Sequence, residues 1–395
     1  MRTPLAQALA PLAQALSPLV LALSPLALAL SIATPAQADP VTGLLHDLSE
    51  APGPSGFEEA VRAIMVPRMK AAADELHYDG LGSVIARQGN SGPRVMVDAH
   101  MDELGGVLRR VTPDGFVSMQ MLGGWLDQAL AGQRWVIIGK KGPVHAVSSI
   151  RDIHLAQPEE RTSLIKREAV FLDVGAKTPA EVAALGIAPG DPIVPDSSFA
   201  ELNGTGNYAG KAWDDRVGCA VLLMAMERLK ASGHPNQIFF VATVQEEIGL
   251  RGARAASAIV HPDIGIAIEG GVTGDAGGAR PEESQVRLGG GPGMFLYDSS
   301  ALPNRKLVAL IRKVAGDEKI PLQADLVQGY GDDSAEMQTV AGGAPTVNLV
   351  VPARYTHVHT GVINRHDFDG MVDLVVALLK RLDARTVADL RDFTP

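Results

Sequence analysis

The feature that most constrains the fold is a set of apolar, strand-like runs that each stop at a histidine or a carboxylate. Residues 94–99 form one such run, and His100-Met101-Asp102 follows it directly. Residues two apart on an extended strand point to the same side, so His100 and Asp102 can face one spot just past the strand end. Ligands of open α/β sheets bind outside the carboxyl ends of the strands. The sequence therefore predicts an α/β sheet with a functional site at this edge.

Other apolar runs end in the same way. Residues 237–244 lead into Glu246 and Glu247, and residues 264–268 lead into Glu269. Taken alone, each of these carboxylates has an ordinary alternative explanation, such as an ion pair with a nearby arginine. Their shared position at predicted strand ends favours a common site instead.

Two further segments complete the candidate site. Asp214 and Asp215 open an apolar helix predicted to reach about residue 231, and His357 lies in a loop predicted at 352–360. Helix capping or a buried, hydrogen-bonded histidine would explain any single one of these residues. Two imidazoles together with several carboxylates, however, suit divalent ions such as Zn²⁺, Co²⁺ and Mn²⁺. The combination predicts a shared metal site.

The sequence pattern changes between about residues 108 and 197, where short β-type runs alternate with turns. Such spacing is typical of a small barrel or sandwich. The α/β alternation resumes near residue 198. We therefore predict a mixed-sheet α/β domain formed by residues 39–107 and 198–395, with a small β-barrel-like domain inserted at 108–197.

Residues 1–38 are predicted to be a secretory signal peptide. They contain no acidic residue, carry apolar runs, and end in Ala36-Gln37-Ala38, which matches an A-x-A cleavage site. Serine and proline residues interrupt the apolar runs, whereas a stable membrane anchor needs ~20 consecutive apolar residues. The expected location is periplasmic or secreted, and it becomes cytoplasmic if this segment is not a functional signal.

Charge and cysteine content limit the expected partners and the ways in which the fold can be held. The 395-residue chain has a net charge of -10 and no basic cluster, so nucleic acid is not an expected partner. Cys219 is the single cysteine and cannot form an internal disulfide. The fold must therefore be held by its core, by metal or by subunit contacts.

Local signals predict several further elements. Ser55 is expected to cap a helix at about 57–73. The other expected elements are helices at 41–50, 304–315 and 368–382 and strands at 83–87 and 346–351.

Seven motifs occur in the order found in one family of enzymes. They are Pro54-Ser55-Gly56-Phe57-Glu58, Ala99-His100-Met101-Asp102-Glu103, Leu172-Asp173-Val174-Gly175-Ala176, Gly186-Ile187-Ala188-Pro189-Gly190-Asp191, Ala212-Trp213-Asp214-Asp215-Arg216, Gln245-Glu246-Glu247-Ile248-Gly249-Leu250-Arg251-Gly252 and Arg354-Tyr355-Thr356-His357. In these motifs the chain from about residue 40 onward resembles the M42 metallo-aminopeptidases, which include glutamyl aminopeptidase and the tetrahedral aminopeptidases.

The resemblance implies a role for each candidate residue. It implies two divalent metal ions bridged by Asp214. The implied remaining ligands are His100 and Glu269 for one ion and Glu247 and His357 for the other. Glu246 would be the general base, and Asp102 would orient His100.

The resemblance also implies peptide substrates cleaved at the N-terminus and self-association, with a dodecamer as the expected assembly. The sequence departs from the family pattern at three places, one of which is the predicted signal peptide in a mostly cytoplasmic family. Gly331-Asp332-Asp333-Ser334 stands where Gly-Thr-Asp-Ala is usual, which leaves Asp333 as the equivalent acidic residue. His359, two residues after His357, is expected to be a bystander that could compete for metal.

Two alternative functions remain open at the level of sequence. One is a related dinuclear metal amidohydrolase, such as a carboxypeptidase or a deacylase. The other is a metal-free binding module that kept the same fold. A glycosidase is disfavoured because such enzymes use a carboxylate pair without a histidine–metal cluster.

Overall fold

The computed structural model describes residues 39–280 and 282–394. The predicted signal peptide at 1–38 lies outside this part of the chain. No helix within the described residues combines the length and the apolar character needed to cross a membrane.

Two helices and three strands open the described chain. They are α1 (Pro40–Glu50), α2 (Glu59–Ala72), β1 (Glu75–Tyr78), β2 (Val84–Gln88) and β3 (Arg94–His100). Every residue of β3 after Arg94 is buried, because α4 packs across one face of this strand and α5 across the other. Burial on both faces explains why the strand reads as a continuous apolar run.

A closed six-stranded barrel follows β3 directly. Its elements are β4 (Gly105–Val111), β5 (Val117–Leu122), β6 (Arg134–Gly139), β7 (Gly142–Ser148), β8 (Phe171–Asp173), α3 (Pro179–Leu185) and β9 (Pro192–Pro195). The strand order is β4-β5-β8-β7-β6-β9. The barrel has its own apolar core, which includes Trp135, Ile137 and Leu172. This barrel confirms the predicted β insert, while the domain limits at 108 and 197 remain a prediction.

The rest of the chain returns to alternating helices and strands. The elements are β10 (Ala200–Glu201), β11 (Asn207–Gly210), α4 (Trp213–Ser232), β12 (Gln237–Thr243), α5 (Arg251–Val260), β13 (Ile264–Val272), β14 (Gly293–Phe295), α6 (Arg305–Glu318), β15 (Gln323–Asp325), α7 (Ser334–Thr339), β16 (Thr346–Arg354), β17 (Gly361–Asn364), α8 (Arg365–Arg381) and α9 (Ala384–Arg391).

These strands join β1–β3 in one mixed sheet of eleven strands. The main path runs β1-β2-β12-β3-β13-β16-β17-β11-β10, and β14 and β15 extend it alongside β16. The four central strands β12, β3, β13 and β16 are parallel. Their carboxyl ends therefore lie at one edge of the sheet, as the apolar runs predict. The α/β fold with a mixed sheet and a barrel insert is confirmed.

The predicted cap at Ser55 is wrong. Residues 54–57 form a turn in which the Phe57 amide donates to the Pro54 carbonyl at 2.8 Å, so α2 begins only at Glu59. The Ser55 hydroxyl instead donates to Asp102 Oδ2 at 2.6 Å.

Candidate metal centre

The carboxyl ends of the parallel strands bring the predicted site residues together. His100 is the last residue of β3, and Glu246 and Glu247 follow shortly after β12 ends at Thr243. Glu269 lies inside β13 rather than after it, because this strand continues its pairing with β16 as far as Val272.

The other two residues come from neighbouring segments. Asp214 lies in the first turn of α4, where its φ and ψ angles are not helical. His357 occupies the loop between β16 and β17.

The two nitrogens of the His100 ring have different partners. Its Nε2 lies 3.0 Å from Asp214 Oδ1 and 3.5 Å from Glu269 Oε2. Its Nδ1 lies 3.0 Å from the backbone carbonyl of Asp102 and 3.4 Å from Asp102 Oδ1. One nitrogen therefore faces the carboxylate cluster while Asp102 holds the other, which is how ligating histidines are usually oriented.

His357 approaches the same cluster from the other side of Asp214. Its Nε2 lies 3.4 Å from Asp214 Oδ2 and 3.8 Å from Glu247 Oε2. Its Nδ1 lies 2.8 Å from the backbone carbonyl of Gly124, in the segment between barrel strands β5 and β6. Asp214 thus presents one oxygen to each imidazole, and the barrel orients His357. No sequence pattern pointed to this contribution of Gly124.

Three overlapping groups of side chains have ligand atoms within 4.8 Å of one another. They are His100 with Asp214 and Glu269, Asp214 with Glu247 and His357, and His100 with Glu246 and Glu247. Imidazole and carboxylate donors suit Zn²⁺, Co²⁺ or Mn²⁺. Glu247 Oε1 is also buried without a hydrogen-bond partner in the described structure, as expected of an oxygen kept for a cation. The residues present therefore fit a metal site.

Buried negative charge dominates the electrostatics of this cluster. Burial raises the pKa of Glu247 to about 8, and the neighbouring Asp214 carboxylate adds to the effect. Burial likewise raises the pKa of Glu246 and of Glu269 well above the usual range. Within the described residues, no lysine or arginine forms a salt bridge with Asp214 or these glutamates. The cluster therefore favours bound cations or protons.

The histidines respond to the same charge. Burial opposes protonation of His357, but its hydrogen bond to Asp214 and the charge of Glu247 outweigh it and raise the pKa of His357 to about 10. Burial also opposes protonation of His100, and the charge of Glu269 overcomes it, so the pKa of His100 lies well above its usual value. Both imidazoles thus lie in a strongly anionic environment.

Asp102 does more than orient His100. Its Oδ1 accepts a hydrogen bond from the Glu246 amide at 3.0 Å, and its Oδ2 accepts one from the Glu247 amide at 3.3 Å. The Ser55 hydroxyl adds the 2.6 Å bond described above. Burial opposes ionisation of Asp102, yet its interactions with His100 and these donors hold its pKa below the usual range. One carboxylate therefore fixes a ring and the backbone of two site residues.

A buried ion-pair network forms around Glu103, the residue that follows Asp102. Glu103 accepts hydrogen bonds from Lys211 Nζ at 2.6 and 2.8 Å and lies 3.3 Å from Arg216 Nη2. Arg216 also donates to the carbonyls of Leu48, Ala51 and Met101. Glu103 and Arg216 stand in motifs quoted above and Lys211 directly precedes one of them, but their charges gave no indication that they pair with one another.

Asp215, the remaining acidic candidate, belongs to none of the three candidate ligand groups. It is joined to Asp214 by a cis peptide bond and accepts hydrogen bonds from the amides of His100 at 3.2 Å and Gly218 at 2.9 Å. Asp333 is also buried, and it accepts a hydrogen bond from the Thr243 hydroxyl at 2.7 Å.

His359 lies away from the cluster. Its ring packs against Trp125 and Trp135, with centroid distances of 5.3 and 4.3 Å. It belongs to none of the three candidate ligand groups. This packing agrees with the expectation that His359 is a bystander.

A cavity of about 210 Å³ opens over the candidate ligands. Its lining consists of Gly124, Asp214, Glu246, Glu247, Glu269, Gly329, Tyr330, Gly331 and His357. This volume is small beside the ~300–1,000 Å³ of typical small-molecule pockets. It suits the end of a chain better than a folded protein surface.

Comparison with known proteins places this geometry in a family. Residues 82–374 match the family model described as M42 glutamyl aminopeptidase. The chain is 34% identical over 360 residues to the lysyl aminopeptidase of Pyrococcus furiosus, covering 89% of this chain and 99% of that relative.

Two solved structures share the whole fold. The TET aminopeptidase of the marine sediment archaeon Thaumarchaeota archaeon SCGC AB-539-E09 superposes with a TM-score of 0.86 at 38% identity, over 89% of this chain and 100% of that one. The Pyrococcus horikoshii TET1 peptidase, which can assemble into a tetrahedron or a large octahedral shell, gives a TM-score of 0.79 at 29% identity, over 86% and 99% of the two chains.

Proposed function

This chain belongs to the M42 glutamyl aminopeptidase family and is a peptide hydrolase, and on that basis we propose that it is a dinuclear metal-dependent aminopeptidase acting on peptides. The observation that carries the proposal is the position of Asp214, whose two carboxylate oxygens face two different imidazoles at 3.0 and 3.4 Å. Two of the three candidate ligand groups share this residue.

Each ion would have its own ligands besides Asp214. His100 and Glu269 would hold one, and Glu247 and His357 the other. Zn²⁺, Co²⁺ and Mn²⁺ are the candidates because they accept mixed nitrogen and oxygen ligands. When bound, such ions polarise the scissile carbonyl, acidify a water molecule and can accept a free α-amine.

Glu246 is the residue placed to move the proton. Its carboxylate lines the cavity and lies 3.8 Å from His100 Nε2, while its backbone amide is tied to Asp102. In this role Glu246 accepts a proton from the attacking water and returns it to the leaving amine. Asp102 keeps Glu246 and His100 in a fixed relation throughout.

The proposed ions and the limited space beside them select the substrate terminus. A free α-amine can bind one of the ions, and in the backbone of a peptide only the N-terminus carries one. The cavity of about 210 Å³ leaves limited room beside the candidate ligands. These two properties favour an aminopeptidase over a carboxypeptidase or a deacylase, and the family favours an enzyme over a binding module.

The test combines metal content with hydrolysis of a panel of aminoacyl-anilides, before and after chelation and metal add-back. We expect about two ions per chain, loss of activity on chelation and recovery with Zn²⁺, Co²⁺ or Mn²⁺. N-acetylated anilides should not be cleaved. Cleavage of the acetylated substrates would support the deacylase, and a protein that binds no metal and cleaves nothing would support the binding module.

Self-association and export complete the proposal. The P. horikoshii relative can assemble into a tetrahedron or a large octahedral shell, and a related structure, PhTET1-12s, is a dodecamer in its asymmetric unit. The segment between β7 and β8 of this chain exposes several apolar side chains. Together these observations support an oligomer, with a dodecamer as the expected form. The N-terminal segment supports a periplasmic or secreted enzyme. Terminal sequencing of the mature protein should find Asp39 as its first residue if the signal is cleaved after Ala38.

A further inference from the structure

The cavity over the candidate ligands contains one side chain for which the proposed reaction has no role, the phenol of Tyr330. Apart from this residue, the cavity lining consists of glycines, carboxylates and His357. Tyr330 therefore supplies the neutral side-chain hydrogen-bond donor of this lining. Within the part of the chain that the structure describes, its hydroxyl forms no hydrogen bond, so the donor is free for a ligand.

The Tyr330 ring is held by packing. It meets the ring of Phe295 edge to face, with centroids 5.1 Å apart and an interplanar angle of 88°. It also packs on the buried cluster that contains Val286, Val327 and Val350. A ring fixed in this way presents its hydroxyl without losing further conformational freedom when substrate binds.

The backbone on both sides of Tyr330 is anchored as well. The Gly329 amide donates to Ser299 Oγ at 2.8 Å. On the other side, Asp332 accepts hydrogen bonds from Asn348 Nδ2 at 2.6 Å and from the Ser334 amide at 2.8 Å. The loop that carries the phenol is therefore tied to β16 and α7 rather than left free.

Burial keeps the hydroxyl protonated, because it raises the pKa of Tyr330 well above its usual value. Near neutral pH the phenol is therefore a donor and not a base. A neutral donor beside a carboxylate cluster can bind an oxygen atom that becomes negative during a reaction.

We propose that Tyr330 is a further catalytic residue, whose hydroxyl donates a hydrogen bond to the carbonyl oxygen of the scissile peptide bond and stabilises the negative charge that develops there. This inference rests on the proposed aminopeptidase function. During hydrolysis water adds across the bond, the C–O bond forms and the C–N bond breaks. Tyr330 keeps its own proton throughout, so its contribution is purely electrostatic.

The experiment replaces the hydroxyl and leaves the ring. Tyr330→Phe keeps the contact with Phe295, so we expect a folded protein with unchanged metal content. Its kcat on an aminoacyl-anilide should fall about 10- to 100-fold, which is at or below the loss seen when one oxyanion donor is removed from an enzyme, with little change in KM. Tyr297→Phe makes the same chemical change at a partly exposed tyrosine outside the cavity lining and should retain wild-type kcat.

A second readout separates catalysis from structure. An aminophosphonate that mimics the tetrahedral state should bind Tyr330→Phe more weakly by about the factor lost in kcat, whereas the free amino acid product should bind both proteins equally. A Tyr330→Phe protein with kcat within twofold of wild type would overturn the inference, and so would loss of metal from this variant. The wild-type chelation and add-back experiment tests the aminopeptidase function separately, so the two proposals can fail independently.

Discussion

Glu246 and Glu247 are consecutive residues, yet they face different parts of the centre. Glu246 Oε2 lies 3.8 Å from the His100 ring, and Glu247 Oε2 lies 3.8 Å from the His357 ring. Asp102 accepts a hydrogen bond from both of their backbone amides, which fixes the backbone from which the two side chains project. One strand end can therefore supply a base and a ligand without an additional element.

Because the two glutamates have different proposed roles, their glutamine variants should behave differently. Glu246→Gln removes the base but leaves the proposed ligands, so kcat should fall by about 10² to 10⁴ while metal content stays the same. Glu247→Gln removes a ligand and should lose metal as well as activity. Steady-state kinetics with metal analysis of both proteins makes the comparison, and near-wild-type turnover of Glu246→Gln would remove Glu246 as the base.

Residue type and strand position were enough to predict which residues cluster, while their roles stay a prediction. His100, Glu246, Glu247 and Glu269 were found because apolar runs stop at or near them. Ser55 was misassigned because capping depends on where the helix starts, and the turn at 54–57 delays that start to Glu59. Tyr330 gave no signal because nothing local shows that a lone tyrosine reaches a cavity built by distant elements.

At the scale of elements, the Glu103 network joins β3's carboxyl end to α1 and α4. Glu103 meets Lys211 and Arg216, and all three side chains are almost fully buried. Burial lowers the pKa of Lys211, and the charge of Glu103 partly offsets that effect. Removing one member of such a group leaves buried charge without compensation.

Glu103→Gln should therefore destabilise the protein strongly. We expect a loss of about 3–5 kcal/mol in the free energy of unfolding, the usual result when one partner of a buried ion pair is removed. Glu160→Gln is the matched control, because its pair with Arg151 is exposed at both side chains and should contribute at most ~1 kcal/mol. Urea unfolding of the metal-loaded proteins measures both free energies of unfolding. A loss in Glu103→Gln as small as that expected for the control would show that the Glu103 network contributes little stability.

Helix α8 carries a buried carboxylate that links stability to pH. Asp367 lies in its first turn and accepts hydrogen bonds from the amides of Gly289 at 2.6 Å and Gly291 at 2.7 Å. Burial raises its pKa to about 6, with the two amides opposing the rise. Because the folded state prefers the protonated form, the stability from this preference is present below about pH 4, the unfolded pKa, and is lost as the pH rises through about 6.

Asp367→Asn replaces the titratable carboxyl with an amide and so isolates its effect on stability. The free energy of unfolding of the wild type, minus that of the variant, should increase as the pH falls from 7 to 4. The charges shared by both proteins cancel in this difference. Asp114→Asn, at an exposed turn between β4 and β5, controls for the loss of one negative charge. A difference that stays constant with pH would contradict the raised pKa of Asp367.

Long elements were predictable and short edge strands were not. The predicted helices at 304–315 and 368–382 correspond to α6 and α8, because each shows a long apolar stripe. The pairs β10–β11 and β14–β15 escaped notice, since strands of two to four residues are too short to show alternation. Their pairing is decided by neighbours such as β16 and β17, which are remote in sequence.

At the scale of the whole molecule, the sheet and the barrel build the centre together. The four parallel strands and α4 supply most candidate ligands, and the barrel supplies the Gly124 carbonyl that holds His357. The packing of His359 against Trp125 and Trp135 ties the His357 loop to the barrel core a second time. A change in the barrel can therefore alter the geometry of the centre without touching a ligand.

The barrel also presents a surface suited to another copy of the chain. In the segment between β7 and β8, Ile150, Ile153, Leu155 and Leu164 are 61%, 61%, 69% and 71% exposed. Clustered exposed apolar residues mark interaction surfaces in soluble proteins. Burying them between copies would remove this apolar area from water, which is the main driving force for association.

The double substitution Ile153→Asp and Leu155→Asp should therefore reduce the native mass, because association would bury two new charges without partners. Leu302→Asp is the matched control, since Leu302 is 66% exposed but lies outside this segment, and it should leave the assembly intact. Light scattering on the metal-loaded proteins measures the mass. Hydrolysis of a small aminoacyl-anilide should persist in the dissociated variant because the candidate ligands and Glu246 all lie elsewhere in the chain. An unchanged mass would place the contact between copies on a different surface.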